Sequence, residues 1–214
     1  MSRRQNKQAI IFMLLIATVA WLALFLQLYI LISNTASNGP LQAAGRFFSY
    51  FTILTNLLVA VCITAILLSP HSIAGKFFSK STVIAAITLY IFIVGLVYNI
   101  ILRYIWEPKG LQRWADEALH VATPVLFVFY WLLFIPKGSL KWSDSFRWLI
   151  YPAAYLVYAL LIGSFSGFYT YPFINVTELG YPRVLLNALA LTIVFLLTGL
   201  LLVTIDRTLA RRMR

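Results

Sequence analysis

The stretch Arg46–Val61, RFFSYFTILTNLLVAV, decides how the chain is read. It is apolar enough to sit in lipid, yet it carries Ser49, Thr52, Thr55 and Asn56. On a helix, residues three and four apart share a face, so these four side chains form one stripe. A polar stripe on a membrane helix either joins helices by hydrogen bonds or lines a place where chemistry happens. The rest of the chain settles whether this is a membrane helix.

Of 214 residues, 62% are hydrophobic and 11% charged, and the mean hydropathy is +0.88. A soluble domain of that composition would expose apolar patches that soluble monomers rarely tolerate. The charges are also clustered. They leave six charge-free runs, at 8–45, 47–75, 81–102, 118–136, 148–177 and 184–205. The shortest holds 19 residues, against about 20 needed to cross the hydrocarbon core. The pattern predicts an all-α membrane protein, a bundle of six transmembrane helices near 9–32, 47–69, 82–104, 117–136, 147–166 and 183–206. It predicts a single transmembrane domain over residues 1–214, with no separate soluble domain.

The N-terminal apolar run is longer than a signal-peptide core and lacks a small-residue cleavage site, so it reads as a retained first helix. With the N-terminus in the cytoplasm, 12 Lys and Arg residues fall inside and 5 outside: Arg46, Arg103, Lys109, Arg113 and Arg183. The positive-inside rule then places both termini in the cytoplasm. The net charge of +11 is explained by topology and by contact with anionic lipid headgroups; it is not a nucleic-acid signature. The single Cys62 forms no intramolecular disulfide and no multi-cysteine metal site, so no metal or organic cofactor is expected.

Topology assigns each polar residue a depth. Helix 2 enters from outside at Arg46, so Thr52 lies about 9 Å along it and Thr55 about 13 Å. His120 lies roughly 5 Å into helix 4, Asn99 about 6 Å before the outer end of helix 3, and Asn187 about 6 Å into helix 6. Four helices thus bring polar groups to the outer third of the bilayer. The inner half carries almost none. His120 is the one histidine within a span; ionisable groups there usually face the bundle interior or a wet cavity.

Histidine is the commonest general base near neutral pH. Asp116 and Glu117, four and three residues before it, share its helical face and are placed to orient the ring. The competing reading is that His120 merely bonds a backbone carbonyl. No Gly-x-Ser-x-Gly elbow is present, which leaves Ser49, Thr52 and Thr55 as hydroxyls at matching depth. A threonine alcohol becomes a useful nucleophile only when a base takes its proton; otherwise such residues serve helix packing. Asn56, Asn99 and Asn187 either bond one another across helices or donate to a developing oxyanion.

Three landmarks, RFFSYFTILTN, the helix LHVATPVLF with its lone histidine, and YTYPFINV, resemble the Pr-six-Pr family of bacterial membrane proteins. That family is similar to the eukaryotic androgen-induced-gene membrane proteins, which are intramembrane threonine hydrolases acting on fatty acid esters of hydroxy fatty acids. The resemblance runs in order along nearly the whole chain. It implies a bacterial cytoplasmic membrane, a histidine base at His120 within HVATP, and a threonine nucleophile. The threonine context of the eukaryotic relatives falls on FTI, giving Thr52 with a one-residue shift; Thr55 stays open as the alternative nucleophile. The acidic pair Asp116–Glu117 departs from the neutral or basic residues the relatives carry there. The expectation is therefore an enzyme hydrolysing long-chain acyl esters. The alternative is a lipid-binding or transport protein whose polar cluster holds a headgroup or a proton.

Overall fold

The computed structural model describes residues 3–34 and 39–212, with the side chains of 3–6 and 40 left aside. Part of the first outer connection and Arg214, one of the charges counted as cytoplasmic, lie outside them. Every regular element among the described residues is helical. Six helices are long and apolar enough to cross a membrane: Lys7–Asn34, Phe51–Leu68, Ser81–Tyr104, Leu111–Phe134, Trp142–Ser166 and Val176–Arg212. The chain is a multi-pass membrane protein.

Where one domain was expected, the internal packing separates Met1–Pro136 from Lys137–Arg214. The first unit holds α1 (Arg3–Asn34), α2 (Pro40–Ser49), α3 (Phe51–Leu68), α4 (Ile73–Phe78), α5 (Ser81–Ile100), α6 (Leu111–Glu117) and α7 (Thr123–Phe134). Its four spans close a ring: α1 packs on α3, α3 on α5, α5 on α7, and α7 back on α1. Lipid offers no hydrophobic drive for helix association, so small residues and buried hydrogen bonds must supply it. Ala20, Ala60 and Ala85 are fully buried. The Trp21 indole donates to Thr64 Oγ1 at 3.0 Å, and the Tyr130 hydroxyl donates to Met13 Sδ at 3.3 Å. Each bond ties α1 to a neighbour.

Two local features depart from uniform spans. Helix 2, expected over 47–69, is broken: α2 ends at Ser49, Tyr50 is extended (φ −83, ψ 128), and α3 begins at Phe51. Ser49 thereby leaves the polar stripe, and its hydroxyl donates back to the Arg46 carbonyl at 2.7 Å. Helix 4 carries one π turn, Ala118–Ala122, between α6 and α7. The Thr123 N–H bonds the Ala118 carbonyl, five residues back. Pro124 follows at once, and proline brings no N–H and crowds the carbonyl four residues before it. That carbonyl belongs to His120.

The second unit contains α8 (Trp142–Arg147), α9 (Ile150–Ser166) and α10 (Val176–Arg212), which bends at Gly180 (φ 71) just before Pro182. Both α8 and α9 pack on α10. Gly199 gives α8 its close approach, since a Cβ there would meet Ser145 Cβ at 3.1 Å. Asp206, 1% exposed, accepts the N–H groups of Gly138 (2.9 Å) and Leu140 (3.1 Å), which fastens the loop before α8.

Candidate active site

Thr52 and His120 meet in the first unit. Thr52 is the second residue of α3 and His120 the middle of the π turn. Both are nearly buried, at 7% and 9% exposure. Thr52 Oγ1 lies 3.3 Å from His120 Nε2, the long end of a hydrogen bond and within what unliganded sites show. On the far side of the ring, His120 Nδ1 lies 2.9 Å from the Asp116 backbone carbonyl. A carbonyl can only accept, so the proton of the neutral ring sits on Nδ1. Nε2 is left with its lone pair directed at Thr52, and the threonine hydroxyl is the donor. The threonine can therefore lose its proton to the ring.

The two acidic residues are used differently from the sequence expectation. Asp116 orients His120, but through its main-chain oxygen. Its carboxylate is held elsewhere, accepting from the Trp106 indole at 2.7 Å and the Gln112 amide at 2.8 Å. Gln112 is bonded in turn to Gln27 of α1 at 2.8 Å. Glu117 points away and pairs with Arg103 at 2.8 Å, both side chains part-exposed.

Tyr98 completes the surroundings of the base. Its ring stacks on His120, with centroids 3.9 Å apart and planes 14° from parallel. The Arg103 guanidinium covers the opposite face of the site, 5.3 Å from the Tyr98 ring centre. Tyr98, Trp106, Gln112 and Gln27 were not singled out from the sequence. Gln27 carried a usable signal: it is an amide inside the outer half of an otherwise apolar span. Tyr98 carried none, because a tyrosine near a span end reads as part of the aromatic belt.

The asparagines are bonded to backbone. Asn56 Nδ2 donates to the Thr52 carbonyl at 2.9 Å and the Leu119 carbonyl at 3.2 Å. Asn99 Nδ2 donates to the Gly95 carbonyl at 2.8 Å and the His120 carbonyl at 3.4 Å. An amide has two protons, so neither retains one for an oxyanion. Asn187 belongs to the second unit, where its Nδ2 donates to the Phe173 carbonyl at 2.9 Å. Thr55 is fully buried one turn beyond Thr52. Among the described residues, no three His, Cys, Asp or Glu side chains gather where they could hold a metal.

Electrostatics favour negative charge beside Thr52. The site sits at the first turn of an 18-residue helix, whose aligned peptide dipoles place partial positive charge at that end. No known protein family matches the chain, and neither a curated protein nor a solved structure is significantly similar to it.

Proposed function

We propose that the protein is an intramembrane lipid-ester hydrolase, with Thr52 as nucleophile and His120 as general base. The observation that carries this reading is the bonding of the imidazole. One nitrogen is fixed by a main-chain carbonyl and the other is aimed at a buried threonine hydroxyl. A threonine placed only for packing would more simply bond the carbonyl one turn before it, as Thr88 does with Ile84. The resemblance to the Pr-six-Pr proteins points the same way, to long-chain acyl esters such as fatty acid esters of hydroxy fatty acids.

The chemistry follows from the geometry. Thr52 Oγ1 attacks the ester carbonyl while Nε2 takes its proton. The tetrahedral intermediate forms at the positive end of α3, which stabilises its oxyanion. Collapse expels the alcohol, protonated by His120. Water then attacks the acyl-threonine, His120 takes the water proton, and Thr52 Oγ1 is reprotonated as the fatty acid leaves. The Asp116 carbonyl plays the orienting part that a carboxylate plays in a serine–histidine–aspartate triad. Being neutral, it stabilises the imidazolium less. The apolar spans suit an acyl chain that arrives laterally from the outer leaflet of a bacterial cytoplasmic membrane, with both termini inside.

The test is hydrolysis of long-chain esters by the purified protein in detergent. Wild type is compared with Thr52→Ala, Thr55→Ala and His120→Ala, each checked for folding. Loss with His120→Ala and Thr52→Ala, and retention with Thr55→Ala, supports the pair. Equal turnover in all four variants, or no turnover by wild type across several ester classes, moves the reading to lipid binding or transport.

A further inference from the structure

The π turn leaves backbone oxygens without helical partners. The Leu119 carbonyl would be bonded in α register by the Thr123 N–H, which bonds Ala118 instead. In π register its donor would be residue 124, a proline, which has no N–H. The His120 carbonyl loses its α-register donor to the same Pro124. An unpaired carbonyl inside a membrane protein is costly, so a turn like this persists only when neighbours satisfy it. The two neighbours do so from either side. Asn56 of α3 reaches the Leu119 oxygen, and Asn99 of α5 reaches the His120 oxygen. These are the carbonyls immediately before and after the residue that carries the imidazole.

Two further observations point the same way. Gly95, one turn before Asn99, brings α5 against the turn: a Cβ there would stand 3.1 Å from the His120 oxygen and 3.2 Å from Pro124 Cβ. And the Asn56 amide is turned so that Nδ2 serves both carbonyls, while Oδ1, fully buried, has no hydrogen-bond partner among the described residues. The protein accepts an unsatisfied acceptor in order to direct the amide nitrogen at the turn.

We propose that Asn56 and Asn99 are positioning residues that hold the Ala118–Ala122 turn in π register and thereby fix the His120 ring against Thr52. Asn56 also grips the Thr52 carbonyl, so a single side chain joins the backbones of both partners. If the turn relaxed to α register, the helix on one side of it would rotate by one residue's worth, about 100°. The Nδ1 bond to Asp116 and the Nε2 approach to Thr52 could not both survive that rotation. The catalytic consequence rests on the hydrolase reading; the structural one does not.

The experiment uses Asn99→Ala, Asn56→Ala and the double variant Asn99→Ala/Pro124→Ala of the full chain in detergent. Three readouts are taken: kcat and KM for ester hydrolysis, thermal midpoint, and the 15N shifts of the His120 ring. The chain has only two histidines, so the ring signals are readily assigned. The single asparagine variants are expected to lower kcat about tenfold or more with KM little changed. They should also convert a single Nδ1–H tautomer into a mixture. In the double variant, residue 124 regains an N–H that pairs the His120 oxygen in α register. Its thermal midpoint should recover while kcat and the tautomer do not. Recovery of kcat and of the single tautomer together with stability would overturn the proposal, as would a single tautomer in both Asn→Ala variants. A wild type that hydrolyses no ester defeats the hydrolase reading alone, because the tautomer still reports the register.

Discussion

Replacing Thr52 by valine keeps the shape and burial of the side chain and removes only the hydroxyl. What is lost structurally is one neutral hydrogen bond at 3.3 Å between α3 and the π turn. Interhelical bonds of this kind in membrane proteins contribute on average about 0.6 kcal/mol and at most about 1.7. At roughly 2–4 °C per kcal/mol for a chain of this size, the thermal midpoint should fall by no more than about 7 °C. The catalytic loss is of another order. Removing the nucleophile from a concerted constellation typically costs about a thousandfold or more in kcat, equivalent to about 4 kcal/mol of barrier. The assay is release of fatty acid from a long-chain ester, with thermal melting of the same preparations. Thr52→Ser restores the hydroxyl and loses a methyl group, about 0.8 kcal/mol of burial, and should keep activity within about tenfold. Thr55→Val is the control at equal burial and should retain wild-type turnover. The reasoning is refuted if Thr52→Val keeps a tenth or more of the wild-type rate, or if Thr55→Val is the variant that loses it.

Three further outcomes follow from the geometry. Tyr98→Leu removes the ring stacked on His120; stacking of about 0.5–1.5 kcal/mol corresponds to a two- to twelvefold fall in kcat, with KM nearly unchanged in steady-state kinetics. Gly95→Val drives a side chain into the His120 carbonyl and Pro124, so it should destabilise by about 1–3 kcal/mol and abolish most turnover, measured by denaturant unfolding and ester hydrolysis. In the second unit, burial lowers the Lys137 amine from 10.5 to about 8, partly offset by the Asp206 charge. Between those values the folded chain holds fewer protons than the unfolded chain, so stability should rise with pH across that window. Lys137→Met should flatten the rise in melts taken through the same range; an unchanged slope would contradict the assignment.

The six spans were legible because charge is excluded from the hydrocarbon, and a run without charge is visible in any sequence. The breaks within them were not. Tyr50 separates α2 from α3 without a proline or glycine at the break, so no residue-level signal marks where Ser49 leaves the stripe. The division after Pro136 was invisible for a related reason: all six spans share one composition, and composition does not report which helices pack on which. At the site, depth alone brought Thr52, Asn56, Asn99 and His120 to one level. Depth carries no information about rotation around a helix axis, so it could not say that Asp116 would offer its carbonyl and turn its carboxylate to Trp106 and Gln112.

The π turn was written in the sequence in a form that periodicity does not read. In HVATP, the proline four residues after His120 removes the donor that an α-helix would give the His120 carbonyl. A span with an orphaned carbonyl beside its only histidine requires a donor from elsewhere. Asn56 and Asn99 are amides on the two helices that flank that span, at matching depth. Taken one at a time, each asparagine is ordinary helix glue. Taken with the proline, they have a defined target: two carbonyls that cannot otherwise be paired in a medium without water. Proline, histidine and the two asparagines thus form one device, in which the missing N–H creates the need and the amides meet it. The residue held between them is the one whose ring orientation sets the chemistry at Thr52.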